Sequence, residues 1–267
     1  MRTATIALLP FLSGCVLFPE FMALQEKLDG LMNPLIAQGM VVGVEESESE
    51  SVSELMALTS LEPGTSVSIF LADAEDADNA EDAPVNGARV KVDRVRAVEA
   101  TEGGTYVVSP EDGLPYADRE TWHVDIDRFS DQSEVSSLSV MLPPGADVDL
   151  PEFHDPYASL TLDLAGQGFT AVMVVVINQY GFITHDSQPE TVTDLVVFAK
   201  SDEEIDSYVI PGDAFAEEGA YAVGVAGLNH SDPSSIENLN TFASTVMAGK
   251  IRFQPLAVFS EPPEFPY

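Results

Sequence analysis

The chain has 267 residues, of which 45 are acidic and 11 are basic, and its formal net charge is −34. Such a negative field excludes nucleic-acid binding, because a protein that holds a phosphate backbone needs clustered Lys and Arg side chains. Hydrophobic residues make up 45% of the chain, enough for two packed cores, and the single cysteine excludes both an internal disulfide and a cysteine-rich metal site.

The first 14 residues have the composition of an export signal. The basic residue Arg2 is followed by an apolar stretch over 4–12 and then by the small residues Ser13 and Gly14. The apolar stretch is too short to span a bilayer as a permanent helix, so residues 1–14 are predicted to be a signal peptide.

A short motif closes this signal. The run Leu12-Ser13-Gly14-Cys15 resembles the lipobox of bacterial lipoproteins. The resemblance implies that Cys15 is acylated, for example with palmitate, and becomes the first residue of the mature chain, so that membrane lipid anchors the protein. Val16 follows the cysteine, in the position where an aspartate commonly retains lipoproteins in the inner membrane. The resemblance therefore favours the outer membrane or the cell surface.

Residues 15–50 are predicted to form an N-terminal helix and an acidic spacer. Apolar side chains recur at spacings of three and four over 20–38, which is typical of an amphipathic helix. Glu and Ser alternate over 45–51, and the mutual repulsion of the carboxylates predicts an exposed spacer. Residues 40–46 are a further candidate strand for the first domain.

From residue 51 the pattern changes to short strands separated by Gly, Pro, Asp and Asn, with no sustained helical period. This pattern predicts an all-β protein made of two immunoglobulin-like antiparallel β-sandwiches, over 51–130 and 131–267. The predicted strands are 67–71, 88–92, 106–108 and 122–126 in the first sandwich, and 138–142, 158–164, 171–177, 192–198, 205–210, 221–225 and 251–259 in the second.

A pentapeptide of the form acidic-x-Gly-x-Tyr occurs once ending at Tyr106 and again ending at Tyr221. The two copies lie about one sandwich domain apart. In Ig-like sandwiches a tyrosine at the start of strand F turns its hydroxyl back to a nearby backbone group and pins the corner of the chain. Tyr106 and Tyr221 are therefore predicted to be structural tyrosine corners.

Two longer stretches resemble known modules. Residues 84–92 with 104–106 resemble the opening of carboxypeptidase-regulatory-like and related Ig-like modules of bacterial surface proteins. Residues 210–225 resemble the E-to-F corner of a fibronectin type III-like domain. The resemblances imply spacers, stalks, adhesive surfaces or units that bind carbohydrate or protein, and they carry no catalytic residues.

Aspartates crowd the segment that follows the strand predicted at 67–71. Asp73, Asp76, Asp78 and Asp82 offer the hard oxygen ligands that Ca²⁺ prefers, but the turn glycine and flanking helices of an EF-hand are missing. Two interpretations stay open, a solvated acidic hairpin and a Ca²⁺ site. Ca²⁺ is the one cofactor that the sequence suggests.

Histidines and aromatic residues are the remaining candidates. His154, His185 and His230 each lie near an aspartate, but their wide separation and loop context favour exposed histidines over a shared metal site. His123 lies in an alternating strand and is expected on one of its faces. Five aromatic residues are candidates either for the core or for a face that binds carbohydrate or protein: Tyr116, Trp122, Tyr157, Tyr180 and Phe182. Trp122 starts an alternating strand and is expected to pack between the sheets.

The sequence contains no phosphate loop, no nucleophile elbow and no dinucleotide fingerprint. It therefore predicts a non-enzymatic, lipid-anchored envelope or surface protein that acts as a structural or interaction module in binding or adhesion. A Ca²⁺-dependent or glycan-binding surface protein is the alternative, and a secreted hydrolase without a recognisable motif is the third. The predicted partners are membrane lipid, through acylated Cys15, and an envelope protein or glycan.

Overall fold

Fifteen β-strands and one α-helix lie in the residues that the computed structural model describes, which are 35–59, 62–73, 84–100, 103–128, 135–187, 204–240 and 243–261. The helix α1 is Glu50–Leu58. The strands are β1 Leu35–Val44, β2 Gly64–Asp73, β3 Arg89–Val92, β4 Val95–Arg96, β5 Val98–Glu99, β6 Thr105–Val108, β7 Thr121–Asp127, β8 Ser136–Met141, β9 Phe153–His154, β10 Leu160–Asp163, β11 Ala171–Asn178, β12 Ile183–Asp186, β13 Ser207–Ile210, β14 Gly219–His230 and β15 Thr245–Val258. The prediction of an all-β fold is confirmed.

One large sheet of nine strands joins the two halves of the chain. Its strand order is β12-β11-β14-β15-β1-β2-β6-β5, and the short strand β9 pairs with the end of β15. β1 runs parallel to β15 and antiparallel to β2. Two smaller sheets, β4-β3-β7-β8 and β10-β13, complete the architecture.

Both smaller sheets cover the same face of the large sheet. On β15, Val246 and Ala248 pack into the core beneath β3, β7 and β8, whereas Leu256 and Val258 pack into the core beneath β10 and β13. Successive side chains of a strand point to opposite faces, so these even-numbered residues share one face. The result is a pair of adjacent β-sandwiches built on one continuous sheet.

Helix α1 covers the opposite face of the large sheet. Its apolar residues Val52, Leu55 and Met56 follow the i, i+3, i+4 spacing of one helix face and pack against side chains of β1, β11, β14 and β15. This helix was not predicted, because the Glu and Ser run over 45–51 dominates its start. The exposed spacer ends where α1 begins, at Glu50.

The helix predicted over 20–38 is wrong for its last four residues. Residues 35–38 belong to β1, while 20–34 lie outside the described residues. Only Met40 of β1 is not fully buried, since β15 and β2 flank the strand and both faces are covered. A strand buried on both faces reads as a continuous apolar run, which a helical spacing matches by chance. The candidate strand at 40–46 lies largely in β1.

The strand predicted at 138–142 pairs differently from the prediction. It was expected to open the second set of strands, but β8 pairs with β7 in the first small sheet. β15 contributes side chains to both cores. The domain limits 51–130 and 131–267 stay a prediction, and the strand predicted at 192–198 lies outside the described residues.

A charged seam crosses the large sheet between the two smaller ones. Arg252 donates to the Glu45 carboxylate at 2.7 Å, and Lys250 lies 3.6 Å from Glu45 and 3.2 Å from Asp118. Burial alone would raise the pKa of Glu45, but the bond from Arg252 and the charge of Lys250 hold that pKa below its ordinary value. The seam places two cations beside carboxylates at the boundary between the sandwiches.

Candidate interaction surface

The hairpin that joins β11 to β12 displays two aromatic side chains at its tip. Tyr180 is 59% exposed and Phe182 is 61% exposed. Between them the backbone turns at Gly181, whose φ of 77° is a left-handed conformation that glycine adopts without a side-chain clash. The tip therefore presents two rings to solvent on a tight turn.

Asn178 holds this tip in shape. Its side-chain oxygen accepts hydrogen bonds from the backbone N–H groups of Tyr180, at 3.1 Å, and Phe182, at 3.0 Å. Its carbonyl accepts from the Gly181 N–H at 2.9 Å, and its own N–H donates to the Phe182 carbonyl at 2.9 Å. Asn178 is buried, so water competes poorly for these bonds. The tip is ordered before any partner arrives, which lowers the entropy lost on binding.

The end of helix α1 lies against the same tip. A Cβ atom at Gly181 would stand 2.6 Å from the Leu58 Cβ, so the backbone of the tip touches the Leu58 side chain. Leu58 itself is 61% exposed. It extends the apolar surface of the tip towards the helix.

A third exposed ring belongs to Tyr157, in the turn between β9 and β10. The Tyr157 N–H donates to the Phe215 carbonyl at 3.0 Å, and the Ala158 N–H closes the turn on the Asp155 carbonyl at 3.2 Å. Tyr157 has a φ of 59° and is 71% exposed. A bulky residue in this backbone region is strained by about 1–2 kcal/mol, and such strain tends to occur at functional sites.

The buried residue Tyr221 adjoins both displays, because it pairs with Asn178 across β14 and β11 and packs against Phe215, whose carbonyl accepts the Tyr157 N–H. Its ring packs edge-on against the buried ring of Phe215, with centroids 5.6 Å apart. Burial raises the pKa of Tyr221, and the nearby phenols of Tyr157 and Tyr180 add to the rise. Both exposed tyrosines thus lie within electrostatic reach of one buried ring. We call Tyr157, Tyr180 and Phe182 the aromatic end.

Carboxylates surround the aromatic end. Asp155, Asp213, Glu217 and Glu218 are all exposed. Residues 143–187 and 204–240 contain no Lys and no Arg, and the cations of the described residues lie instead within 89–128 and on β15. The aromatic end is therefore an apolar surface in a negative field.

The two predicted tyrosine corners make different contacts. The Tyr221 hydroxyl donates to the Glu217 carbonyl at 2.8 Å, four residues upstream, as in a tyrosine corner. The Tyr106 hydroxyl reaches further back, donating to the Val85 carbonyl and accepting from the Ala88 N–H, both at 2.9 Å. Both hydroxyls tie a strand to the backbone that precedes it. Substitution of each tyrosine by Phe, which removes only the hydroxyl, tests their role as structural corners.

Only Asp73 of the lipidation and Ca²⁺ candidates lies within the described residues. Cys15, Asp76, Asp78 and Asp82 fall outside the described residues. Asp73 is the last residue of β2, and its carboxylate accepts a hydrogen bond from Arg128 at 2.7 Å. That ion pair would compete with a cation for the Asp73 oxygens. The Ca²⁺ site stays a prediction.

The histidines serve separate local contacts. His154 lies 2.9 Å from the Ala158 carbonyl, and His185 lies 2.9 Å from the Tyr208 hydroxyl. Burial lowers the pKa of His185, although nearby aspartates oppose this effect. His230 ends β14, and His123 is exposed on β7. Within the described ranges, no group of three or more His, Cys, Asp or Glu residues is arranged to hold a metal ion.

The structure divides the five aromatic candidates into two groups. Trp122 is buried in the first core, and Tyr116 packs against it with ring centroids 6.2 Å apart. Tyr157, Tyr180 and Phe182 are exposed. The burial of Trp122 agrees with the prediction, whereas the other four aromatic residues were not separated by the sequence, and Asn178 was missed. The signal for Asn178 is its position three residues before Gly181, which is typical of a turn held by an Asn side chain.

No known protein family and no curated protein matches the chain. Among solved structures, the chain is similar to Tp47, the 47-kilodalton lipoprotein of Treponema pallidum, with 11% identity, 80% of this chain and 50% of that chain covered, and a TM-score of 0.30. It is also similar to the fibronectin(III)-like modules of Clostridium thermocellum CbhA, with 9% identity, 76% and 90% covered, and a TM-score of 0.21. The chain spans about half the length of Tp47. In the described part of the chain, no helix is long and apolar enough to cross a membrane.

Proposed function

We propose that this protein is exported and held at the outer membrane or cell surface by acylated Cys15, and that it acts there as a non-enzymatic interaction module. The aromatic end is its contact surface. An all-β, Ig-like sandwich architecture fits a structural or interaction module. The observation that best supports this role is the exposure of Tyr157, Tyr180 and Phe182, each more than half exposed, on turns that hydrogen bonds hold in place.

Display of these rings is unfavourable unless a partner covers them. Apolar side chains that stay in water do not gain the roughly 25 cal/mol per Å² that the core side chains gain on burial, and a partner that covers them recovers this free energy. The turns that carry the rings are fixed by Asn178 and by the bond from Tyr157 to Phe215. A fixed aromatic side chain loses little conformational entropy when a partner covers it, which is the property of a binding anchor.

The proposed anchor rests on the sequence of the export signal. Leu12-Ser13-Gly14-Cys15 follows an apolar stretch and contains the one cysteine of the chain. Two or three acyl chains on that cysteine would each contribute about 0.8 kcal/mol per buried CH₂, enough for stable attachment without a membrane-spanning helix.

The non-enzymatic role is supported by what the candidate acid–base groups contact. His154 is hydrogen-bonded to the Ala158 carbonyl, and His185 is hydrogen-bonded to the Tyr208 hydroxyl. In the described residues neither histidine is hydrogen-bonded to a Ser, Thr or Cys side chain. The contacts account for both side chains as parts of the second sandwich.

Labelling in the native host tests the anchor. We expect radiolabelled palmitate to enter the wild-type protein and the wild type to fractionate with membranes. The Cys15→Ala variant should take up no label and should appear in the soluble fraction. Unlabelled wild type, or a variant that still fractionates with membranes, would contradict the anchor.

Site-specific cross-linking tests the contact surface. A photoreactive phenylalanine analogue is placed at Tyr180 or at Val98, which lies on β5 at the far edge of the large sheet and is 62% exposed. We expect irradiation of whole cells to give a discrete adduct from position 180 and none from position 98. Equal adducts from both positions would reject the aromatic end as the contact surface.

Glycan binding is the second candidate function, and the exposed rings favour it too. Flat aromatic side chains stack on sugar rings as well as on protein groups. Affinity electrophoresis in gels that contain neutral polysaccharides measures this directly, with retardation of the wild type and not of a Tyr180→Ser, Phe182→Ser double variant as the supporting result.

A further inference from the structure

We infer that the aromatic end binds a Lys- or Arg-bearing segment of a partner protein, whose cationic groups stack on the exposed rings while the surrounding carboxylates neutralise them. This inference deepens the proposed function, because it rests on the aromatic end being a contact surface. It adds the chemical class of the partner.

The carboxylates occupy turns that adjoin the rings. Asp155 shares the turn of Tyr157, and the backbone of Gly212, next to Asp213, packs against the Tyr157 carbonyl. The side chain of Gln179, in the hairpin tip, donates to the Glu218 carbonyl at 3.2 Å. These contacts bring acidic turns from two parts of the chain, around Asp155 and over 212–218, to the aromatic end.

Helix α1 and the tyrosine corner add further negative charge. Glu54 is exposed and lies one helical turn before Leu58, on the same side of α1. Glu217 is exposed, and its backbone holds the Tyr221 hydroxyl. The Glu218 carboxylate accepts hydrogen bonds from Ser260, which lower the pKa of Glu218.

The described stretches that carry the aromatic end provide no Lys or Arg side chain to balance these groups. Residues 143–187 and 204–240 contain neither Lys nor Arg. An anionic partner would be repelled here, and a neutral glycan could only donate hydrogen bonds to the carboxylates and would gain no charge attraction. A cationic side chain gains from both components, since the face of an aromatic ring attracts a cation and carboxylates pair with it.

The expected strength follows from known cation–ring energies. An exposed ring contributes about 0.5–1 kcal/mol to the binding of a Lys or Arg side chain, which is a factor of about 2 to 5 in affinity. Tyr180 and Phe182 together should therefore contribute a factor of roughly 5 to 25. Long-range attraction by the carboxylates adds an affinity that falls with salt, because the Debye length shrinks from about 8 Å at 0.15 M to about 3 Å at 1 M.

Fluorescence anisotropy with the full-length protein tests the inference. The probe is a labelled ten-residue peptide of alternating Arg and Gly, with a Ser and Gly peptide of equal length as the neutral control. The wild type is compared with the Tyr180→Ser, Phe182→Ser double variant, which keeps the net charge, and with Val98→Ser as a matched loss of exposed apolar surface. Equal midpoints of urea unfolding show that all three are folded.

We expect the double variant to bind the Arg peptide roughly 5 to 25 times more weakly than the wild type, and Val98→Ser to differ by less than about twofold. An Asp213→Asn, Glu217→Gln variant should weaken binding at about 0.15 M salt and should differ less from the wild type near 1 M. The Ser and Gly peptide should not bind.

Three outcomes would overturn the inference in distinguishable ways. If the double variant binds the Arg peptide as tightly as the wild type does, diffuse charge attraction explains the binding and the rings do not stack on the cations. If neither protein binds the Arg peptide, the surface does not attract cationic segments. If instead cellohexaose or chitohexaose binds in a way that requires Tyr180 and Phe182, the partner is a neutral glycan. That last result rejects the cationic partner and keeps the contact surface, whereas failure of the cross-linking at position 180 rejects the surface itself.

Discussion

Replacing Tyr106 with Phe removes one hydroxyl that makes two hydrogen bonds. The hydroxyl accepts from the Ala88 N–H and donates to the Val85 carbonyl, each at 2.9 Å. Tyr106 is 1% exposed, so water cannot take the place of the lost oxygen. The buried backbone donor of Ala88 would be left without a partner.

We expect Tyr106→Phe to lower the free energy of unfolding by about 2–3 kcal/mol, because an orphaned buried donor costs about 1–3 kcal/mol and the Val85 carbonyl adds a smaller part. Tyr221→Phe is the matched variant. The Tyr221 hydroxyl also makes two bonds, both to the Glu217 backbone. Glu217 is exposed, so water can satisfy its backbone groups, and we expect a loss of about 1 kcal/mol or less.

Urea unfolding followed by far-ultraviolet circular dichroism at pH 7 measures both losses. With a slope of roughly 2–3 kcal/mol per M of urea, Tyr106→Phe should shift the midpoint down by about 1 M, and Tyr221→Phe by less than about half of that. An equal or larger loss for Tyr221→Phe would refute the reasoning that burial of the partner groups decides the strength of each corner. A loss near zero for both would reject the structural role of the two tyrosines.

Three further predictions concern the charged seam and the hairpin tip. Glu45→Gln should destabilise the protein by about 1 kcal/mol at pH 7, since Arg252 loses its partner. Because the pKa of Glu45 is held below 4.5 in the folded protein, the Glu45 carboxylate stabilises the fold above that pH, and this stabilisation is lost as the pH falls through the lowered pKa. The difference in unfolding free energy between Glu45→Gln and the wild type should therefore shrink in acid, and a constant difference down to about pH 3 would contradict the ion pair. Asn178→Ala should speed amide hydrogen exchange in the tip roughly tenfold, whereas Asn178→Asp, which keeps the acceptor oxygen, should leave the exchange rate unchanged. Equal exchange rates in the two variants would show that the acceptor oxygen does not hold the tip. Gly181→Ala should lower the free energy of unfolding by about 1–2 kcal/mol in urea titrations. In a Leu58→Gly background, which lacks the Cβ that the new side chain would meet, Gly181→Ala should cost only the part due to the left-handed backbone, and no cost in that background would show that this backbone carries no strain.

The strand pattern was readable from the sequence where one face of a strand is buried and the other is exposed. In β7, Trp122, Val124 and Ile126 are buried while Thr121 and His123 are exposed, so the period of two is visible in the residue types themselves. The same alternation made β3 predictable. Local pattern and local structure agree in these strands because one neighbouring layer covers one face.

The pattern failed where both faces of a strand are covered. β1 lies between β15 and β2, with the first core on one face and α1 on the other, so its apolar residues show no period of two. Helix α1 was missed for a related reason, since Val52, Leu55 and Met56 are too few to outweigh the acidic run before them. Neither element can be assigned without knowing what packs against it.

Residue types and near neighbours along the chain were enough to predict the all-β class, most strand positions, the acidic composition and the aromatic candidates. The exposure of Tyr157, Tyr180 and Phe182, and the approach of acidic turns from two parts of the chain to these rings, were not readable from the sequence. Exposure and electrostatic field depend on which layers cover a side chain, and residues far apart in the sequence form those layers.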